Sequence, residues 1–296
     1  MKYAILFNPL AGNDGGKLVK EELEILLNGN ELIFKDITKT DVADFVKTLD
    51  KECGIIISGG DGTLNRFINT IDCDKLANNL YIYASGTGND FIKDISENCE
   101  AAITADTPDN AGKDSGKLYD INDLVRNLPV VTVNGKDYKF LNGVGYGIDG
   151  YCCEVGDELK AAGKKVNYTS IAIKGLLFHF KPRNATVIVD GTSYHFDKVW
   201  IAPTMNGKYY GGGMIPTPAQ DRNSENLSIC LMYGAGKLKT LMTFPKIFKG
   251  EHVKKEKIVK VLEGKEITVK FDTPCALQID GETILNVSSY TAKRNA

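Results

Sequence analysis

The chain has 296 residues, 43% of them hydrophobic and 25% charged, a composition that excludes disorder and a length that favours two domains over one. A formal net charge of -2 lacks the broad basic excess of a bulk nucleic-acid binder, so no nucleic-acid partner is expected. Seven cysteines without C-x-x-C spacing suggest neither a disulfide framework nor a zinc site, and three scattered histidines give a histidine-based triad little support.

In chain order, residues 3–7 read as a buried strand and 17–27 as a helix with leucines at helical spacing, together a βα unit. The alternation repeats as strand 31–37, helix 42–49, strand 54–57, helix 64–71, strand 80–84 and a helix from Asp90. It predicts a three-layer α/β domain with a parallel sheet and ligands at the carboxyl ends of the strands. The apolar run at 3–7 is too short for a signal peptide, and no later stretch reaches spanning length. A cytoplasmic protein is expected, touching the inner face of the membrane at most peripherally.

After about residue 115 the texture becomes β-branched runs broken by turn residues. Asn134-Gly135 and Asp190-Gly191, each between apolar runs, signal hairpins. Further strands are predicted at 198–202, 227–232, 266–271 and 276–279, with helical interruptions near 150–180 and 238–248. This half reads as a mainly antiparallel β-sandwich domain. The expected division is an α/β domain at 1–120 to which residues 283–296 return, and a β-rich substrate domain at 121–282.

Three glycine-rich turns each follow a predicted strand and precede a helix: Asn8 to Gly12, Ser58 to Thr63, and Ser85 to Asp90. Glycine allows close backbone approach, and free amides at a helix start attract anions, so three coincident turns point to nucleotide phosphates rather than to three unrelated bends. Neither a Walker nor a Rossmann glycine pattern is present. Asp61, a carboxylate among phosphate-binding glycines, implies a metal-linked role or a helix cap, and Asn89 and Asp90 face the same choice.

The run Gly59-Gly60-Asp61-Gly62-Thr63-Leu64-Asn65, preceded by Asn8-Pro9 and followed by Gly86-Thr87-Gly88-Asn89-Asp90-Phe91, resembles the diacylglycerol kinase catalytic-domain family, which includes bacterial lipid kinases and sphingosine kinases. Gly211-Gly212-Gly213-Met214 with Pro218, and Gln278-Ile279-Asp280-Gly281-Glu282, extend the likeness. The resemblance implies ATP bound by Asn8, Gly59, Gly60, Asp61, Gly62, Thr63, Asn65, Gly86, Thr87, Asn89 and Asp90, with Thr38 joining them. It implies a catalytic base from Asp280 or Glu282, where the residues alone equally fit a β-turn with two solvated carboxylates. The family's metal-binding Asp-Asp-Gly is replaced here by Asn223-Ser224-Glu225, leaving Asp61, Asp221 and Glu225 as candidate Mg²⁺ ligands.

Residues 171–180, apolar and flanked by Lys174, Lys181 and Arg183, and residues 238–248, with Lys237, Lys239, Lys246 and Lys249, show a pattern shared by membrane-surface segments and by ordinary helices with a solvated lysine face. The expected activity is transfer of phosphate from ATP to a lipid hydroxyl, diacylglycerol to phosphatidic acid first among the choices, in phospholipid biosynthesis. An NAD kinase-like or other small-molecule kinase, a catalytically inactive nucleotide- or lipid-binding homologue, and a homodimer stay open.

Overall fold

The computed structural model describes residues 1–9, 15–85, 89–97, 100–104 and 117–294. The chain divides into two compact units, Met1–Leu128 and Pro129–Ala296.

In the first unit, strands β1 (Lys2–Phe7), β2 (Glu31–Asp36), β3 (Gly54–Gly59), β4 (Leu80–Ala84), β5 (Ile103–Thr104) and β6 (Lys117–Asp120) form one sheet in the order β2-β1-β3-β4-β6-β5. The first four neighbours run parallel; β6 pairs antiparallel with β4 and β5, so the expected parallel sheet carries an antiparallel edge. Every residue of β3 is buried, as a strand covered on both faces requires. Helix α1 (Gly15–Leu26) packs Val19, Leu23 and the following Leu27 against Tyr3, Ile5, Ile56 and Tyr83. Short helices α2 (Val42–Lys47), α3 (Asp61–Thr70), α4 (Asp90–Ile95) and α5 (Asn122–Val125) complete the unit. Helix α3 starts at Asp61, three residues before the apolar periodicity announces it, because Gly60 occupies the N-cap.

The second unit is a ten-stranded antiparallel assembly of β7 (Val130–Val133), β8 (Lys136–Lys139), β9 (Gly143–Tyr146), β10 (Arg183–Val189), β11 (Thr192–Val199), β12 (Thr204–Met205), β13 (Leu227–Met232), β14 (Val259–Gly264), β15 (Glu266–Ile279) and β16 (Glu282–Lys293). The fourteen-residue β15 pairs with β10 through Ile267–Phe271 and with β9 through Leu277–Ile279, with register shifts between Lys270 and Leu277. That bent strand links the two layers of a sandwich whose core includes Val131, Tyr146, Val187, Phe271, Leu277 and Tyr290. Helix α6 (Ile148–Ala161) lies against β15. Helix α7 (Tyr168–Lys174) runs into a π turn at Gly175–His179, and α8 (Lys237–Thr243) gives way to a 3₁₀ turn at Phe244–Lys249, where Pro245 removes a backbone donor.

The expected return of residues 283–296 to the first unit does not occur. Val287, Tyr290 and Ala292 of β16 bury their side chains in the sandwich, and the strand pairs with β15 and β7. Among the described residues no helix is long and apolar enough to cross a membrane.

Candidate active site

In the first unit the carboxyl ends of β1, β3 and β4 are tied together by the side chains of the glycine-rich turns. Asn8, just past β1, donates its side-chain N–H to Thr63 Oγ1 of α3 at 3.2 Å. The Ser58 and Ser85 hydroxyls, from the ends of β3 and β4, lie 3.0 Å apart. A Cβ on Gly59 would stand 2.5 Å from Thr63 Oγ1, so glycine is required for the strand to turn this closely over the first turn of the helix. Asp61 is indeed a cap, but of the neighbouring helix. Its Oδ2 accepts from the Asp90 N–H at 2.9 Å and its Oδ1 from the Phe91 N–H at 3.1 Å, anchoring the start of α4 to the start of α3. Asn65 is buried and receives the Asn69 side-chain amide, while Gly62 is exposed on the first turn of α3. Thr38 lies apart from this cluster of bonds, donating its N–H and hydroxyl to Asp36 Oδ1 at 2.9 and 2.6 Å, which holds the Asp36 carboxyl below its ordinary value. Gly86 and Thr87 fall outside the described residues.

In the second unit, Asp280 and Gly281 take φ of 47° and 97° between the paired residues Ile279 and Glu282, a two-residue hairpin turn of the kind that aspartate-glycine favours. The Asp280 carboxylate is half-buried and bonded to the backbone. Its oxygens accept three consecutive backbone N–H groups, from Leu141 at 2.6 Å, Asn142 at 2.8 Å and Gly143 at 3.0 Å, while its own N–H donates to the Gly143 carbonyl at 3.1 Å. Glu282, two residues on, is exposed. One carboxylate is therefore held in place by three backbone N–H groups, and its neighbour is presented to solvent at the start of β16.

Two family models cover most of the chain. The diacylglycerol kinase catalytic domain matches residues 2–111, and the YegS C-terminal NAD kinase beta sandwich-like domain matches residues 142–292. The chain belongs to the diacylglycerol kinase catalytic-domain family. A diacylglycerol kinase of Mycobacterium tuberculosis is 25% identical over 209 residues, covering 69% of this chain and 62% of that protein, so the likeness spans less than two thirds of the relative. A Bacillus anthracis diacylglycerol kinase crystal structure aligns over 99% of this chain and 93% of its own with a TM-score of 0.62 at 18% identity, which shows a shared fold. An NAD kinase from Archaeoglobus fulgidus aligns at a TM-score of 0.46, too distant to bear on the choice of substrate.

The candidate metal ligands of this family member each have other work in the structure. Asp221 Oδ1 accepts the Asn223 N–H at 2.9 Å, and Glu225, exposed, pairs with Lys265 at 2.7 Å, which draws its carboxyl below the ordinary range. Among the described residues no three His, Cys, Asp or Glu side chains gather as a metal cage. Sequence reasoning also passed over Asp149, on the first turn of α6 and fully buried, where burial pushes its carboxyl up to about 7 against the opposing hydrogen bond from the Tyr210 hydroxyl at 2.9 Å. Tyr210 is aimed there by the triple glycine: Gly211, Gly212 and Gly213 all take positive φ, folding Met214 back to pair with Tyr210. An aspartate two residues after Gly145-Tyr146-Gly147 at a helix start was the available signal.

Proposed function

We propose that the chain is an ATP-dependent lipid kinase that transfers the γ-phosphoryl group to a lipid hydroxyl, with diacylglycerol to phosphatidic acid as its reaction. The nucleotide lies at the carboxyl ends of β1, β3 and β4, its phosphates toward the positive end of α3, where Asn8 bonds Thr63 and Asp61 bonds the start of α4. Asp61, its oxygens on the Asp90 and Phe91 N–H groups, is the carboxylate at this helix start that would face a nucleotide-borne cation. Among the described residues no cage of three His, Cys, Asp or Glu stands here, which fits Mg²⁺ that arrives on ATP phosphates and keeps most of its water. Mg²⁺·ATP supplies neutralisation of the developing phosphoryl charge.

The observation that carries the reading, in a chain of this family, is the difference between the two carboxylates of the β15–β16 turn. Asp280 has both oxygens engaged by three N–H groups, so its carboxylate serves to hold the Leu141–Gly143 segment against the turn. Glu282 is exposed and acts as the proton acceptor for the lipid hydroxyl, with Asp280 as the anchor of the turn that presents it. Glu282→Gln tests this: phosphotransfer to diacylglycerol falls about 100-fold or more with ATP binding unchanged, and a fully active variant refutes the assignment.

Membrane contact is assigned to α7, α8 and the turns that follow them. Phe178 is 72% exposed, Leu238 69% and Met242 61%, and Lys237 bonds the Leu177 carbonyl, tying α8 to the π turn. Lysines 174, 239, 246 and 249 on the same elements suit an anionic bilayer. Arg183 is engaged otherwise, over the Phe180 ring and with the Pro274 carbonyl.

A further inference from the structure

The loop that holds Asp280 is itself held by a buried cation. In the peptide unit joining Leu141 to Asn142, the Asn142 N–H donates to Asp280 Oδ1, while the Leu141 carbonyl on the other side accepts Arg222 Nη1 at 2.8 Å. Arg222 Nη2 donates to the Asn142 side-chain oxygen at 3.0 Å, so one guanidinium fork grips two acceptors of the loop. The next peptide repeats the arrangement: the Gly143 N–H faces Asp280, and the Asn142 carbonyl accepts the N–H groups of Asn206 at 2.9 Å and Gly207 at 3.0 Å. Asn206 also donates its side-chain amide to the Leu141 carbonyl at 2.8 Å. Arg294 closes the set, bonding the Arg222 carbonyl at 2.8 Å and the Asn206 side-chain oxygen.

Hydrogen bonds in series polarise one another, so the charge of Arg222 reaches Asp280 through a single peptide unit. Arg222 is 7% exposed. Burying a guanidinium is costly, and apolar packing would shape an ordinary loop at less expense. A cation here makes sense where the loop must hold an anion in one place.

We propose that Arg222 is a positioning residue for phosphoryl transfer: its guanidinium fixes the Leu141–Gly143 loop, the loop fixes Asp280, and Asp280 fixes the turn that presents Glu282. The proposal rests on Glu282 as proton acceptor. It places a determinant of turnover immediately before Asn223-Ser224-Glu225, where the family's Asp-Asp-Gly is replaced.

The experiment compares full-length Arg222→Ala, Arg222→Lys and Glu282→Gln with the parent, in phosphotransfer from Mg²⁺·ATP to diacylglycerol in mixed micelles. Arg222→Ala should lose about 10–100-fold in kcat, the scale of an ångström-level misplacement, with KM for ATP within about twofold. Millimolar guanidinium should restore part of that kcat and should restore nothing to Glu282→Gln. Arg222→Lys keeps the charge without the fork and should fall between the parent and Arg222→Ala, which preserves the test should the alanine variant not fold. Parent-like kcat in Arg222→Ala or Arg222→Lys overturns the proposal, as does a folded Arg222→Ala that guanidinium fails to rescue. Full activity in Glu282→Gln instead refutes the proton-acceptor reading, so the two failures are distinct.

Discussion

Asp149→Asn should make the second unit more stable, and by an amount that depends on pH. The Asp149 carboxyl has a folded-state value of about 7 against an ordinary 3.8, because burial disfavours its charged form more than the Tyr210 hydroxyl favours it. At about 1.36 kcal/mol per unit, that difference is worth about 4 kcal/mol. The sign follows from proton counting. Between the two values the folded chain holds a proton that the unfolded chain has released, so this group's contribution falls as pH rises through that window and levels off above about 7. Asparagine is neutral throughout and keeps an oxygen for the Tyr210 hydroxyl. The variant should therefore match the parent near about pH 4 and exceed it by about 4 kcal/mol near about pH 8. Urea unfolding followed by the fluorescence of Trp200, the single tryptophan and buried in the second unit, reads the difference. An identical gap at both pH values, or a parent that gains on the variant as pH rises, would refute burial as the cause.

Gly150→Ala should cost about 3 kcal/mol in the same urea assay, since its new Cβ would stand 1.8 Å from the Ala276 carbonyl oxygen and α6 would have to lift from β15; a loss below about 1 kcal/mol would show that the helix yields easily. Asp61→Ala should release the start of α4, costing about 2 kcal/mol and speeding hydrogen exchange of the Asp90 and Phe91 amides about 30-fold, whereas unchanged exchange would mean the cap contributes nothing. Phe178→Ser combined with Leu238→Ser should lower partitioning onto anionic vesicles about 10-fold or more while leaving the fold intact, because both side chains are exposed; equal sedimentation with vesicles would remove α7 and α8 from the contact.

The first sheet was legible because its central strands are short apolar runs between glycine turns, a local pattern that needs no knowledge of partners. The antiparallel edge was not, since β5 has two residues and β6 four. Strand β16 shows why the domain boundary was misplaced: its neighbours β15 and β7 are set by long-range pairing, on which the sequence of the last residues is silent. At the site, residue types were readable and bonding was not. Aspartate-glycine announced a turn at 280–281, but the three N–H groups that hold Asp280 come from residues about 140 positions earlier. Arg222 carried no signal, because a lone arginine in a polar loop reads as solvated. Asp149 was hidden for the opposite reason: one carboxylate on a helix start is ordinary until burial is known.

The most direct test of the account is mass spectrometry of the products formed when the full chain is incubated with Mg²⁺, ATP and a mixed lipid extract, with NAD in a parallel reaction. The account predicts a phosphorylated lipid, phosphatidic acid foremost, and its loss in Glu282→Gln. Phosphate transferred to NAD with no lipid product, or ATP bound without turnover, would contradict it.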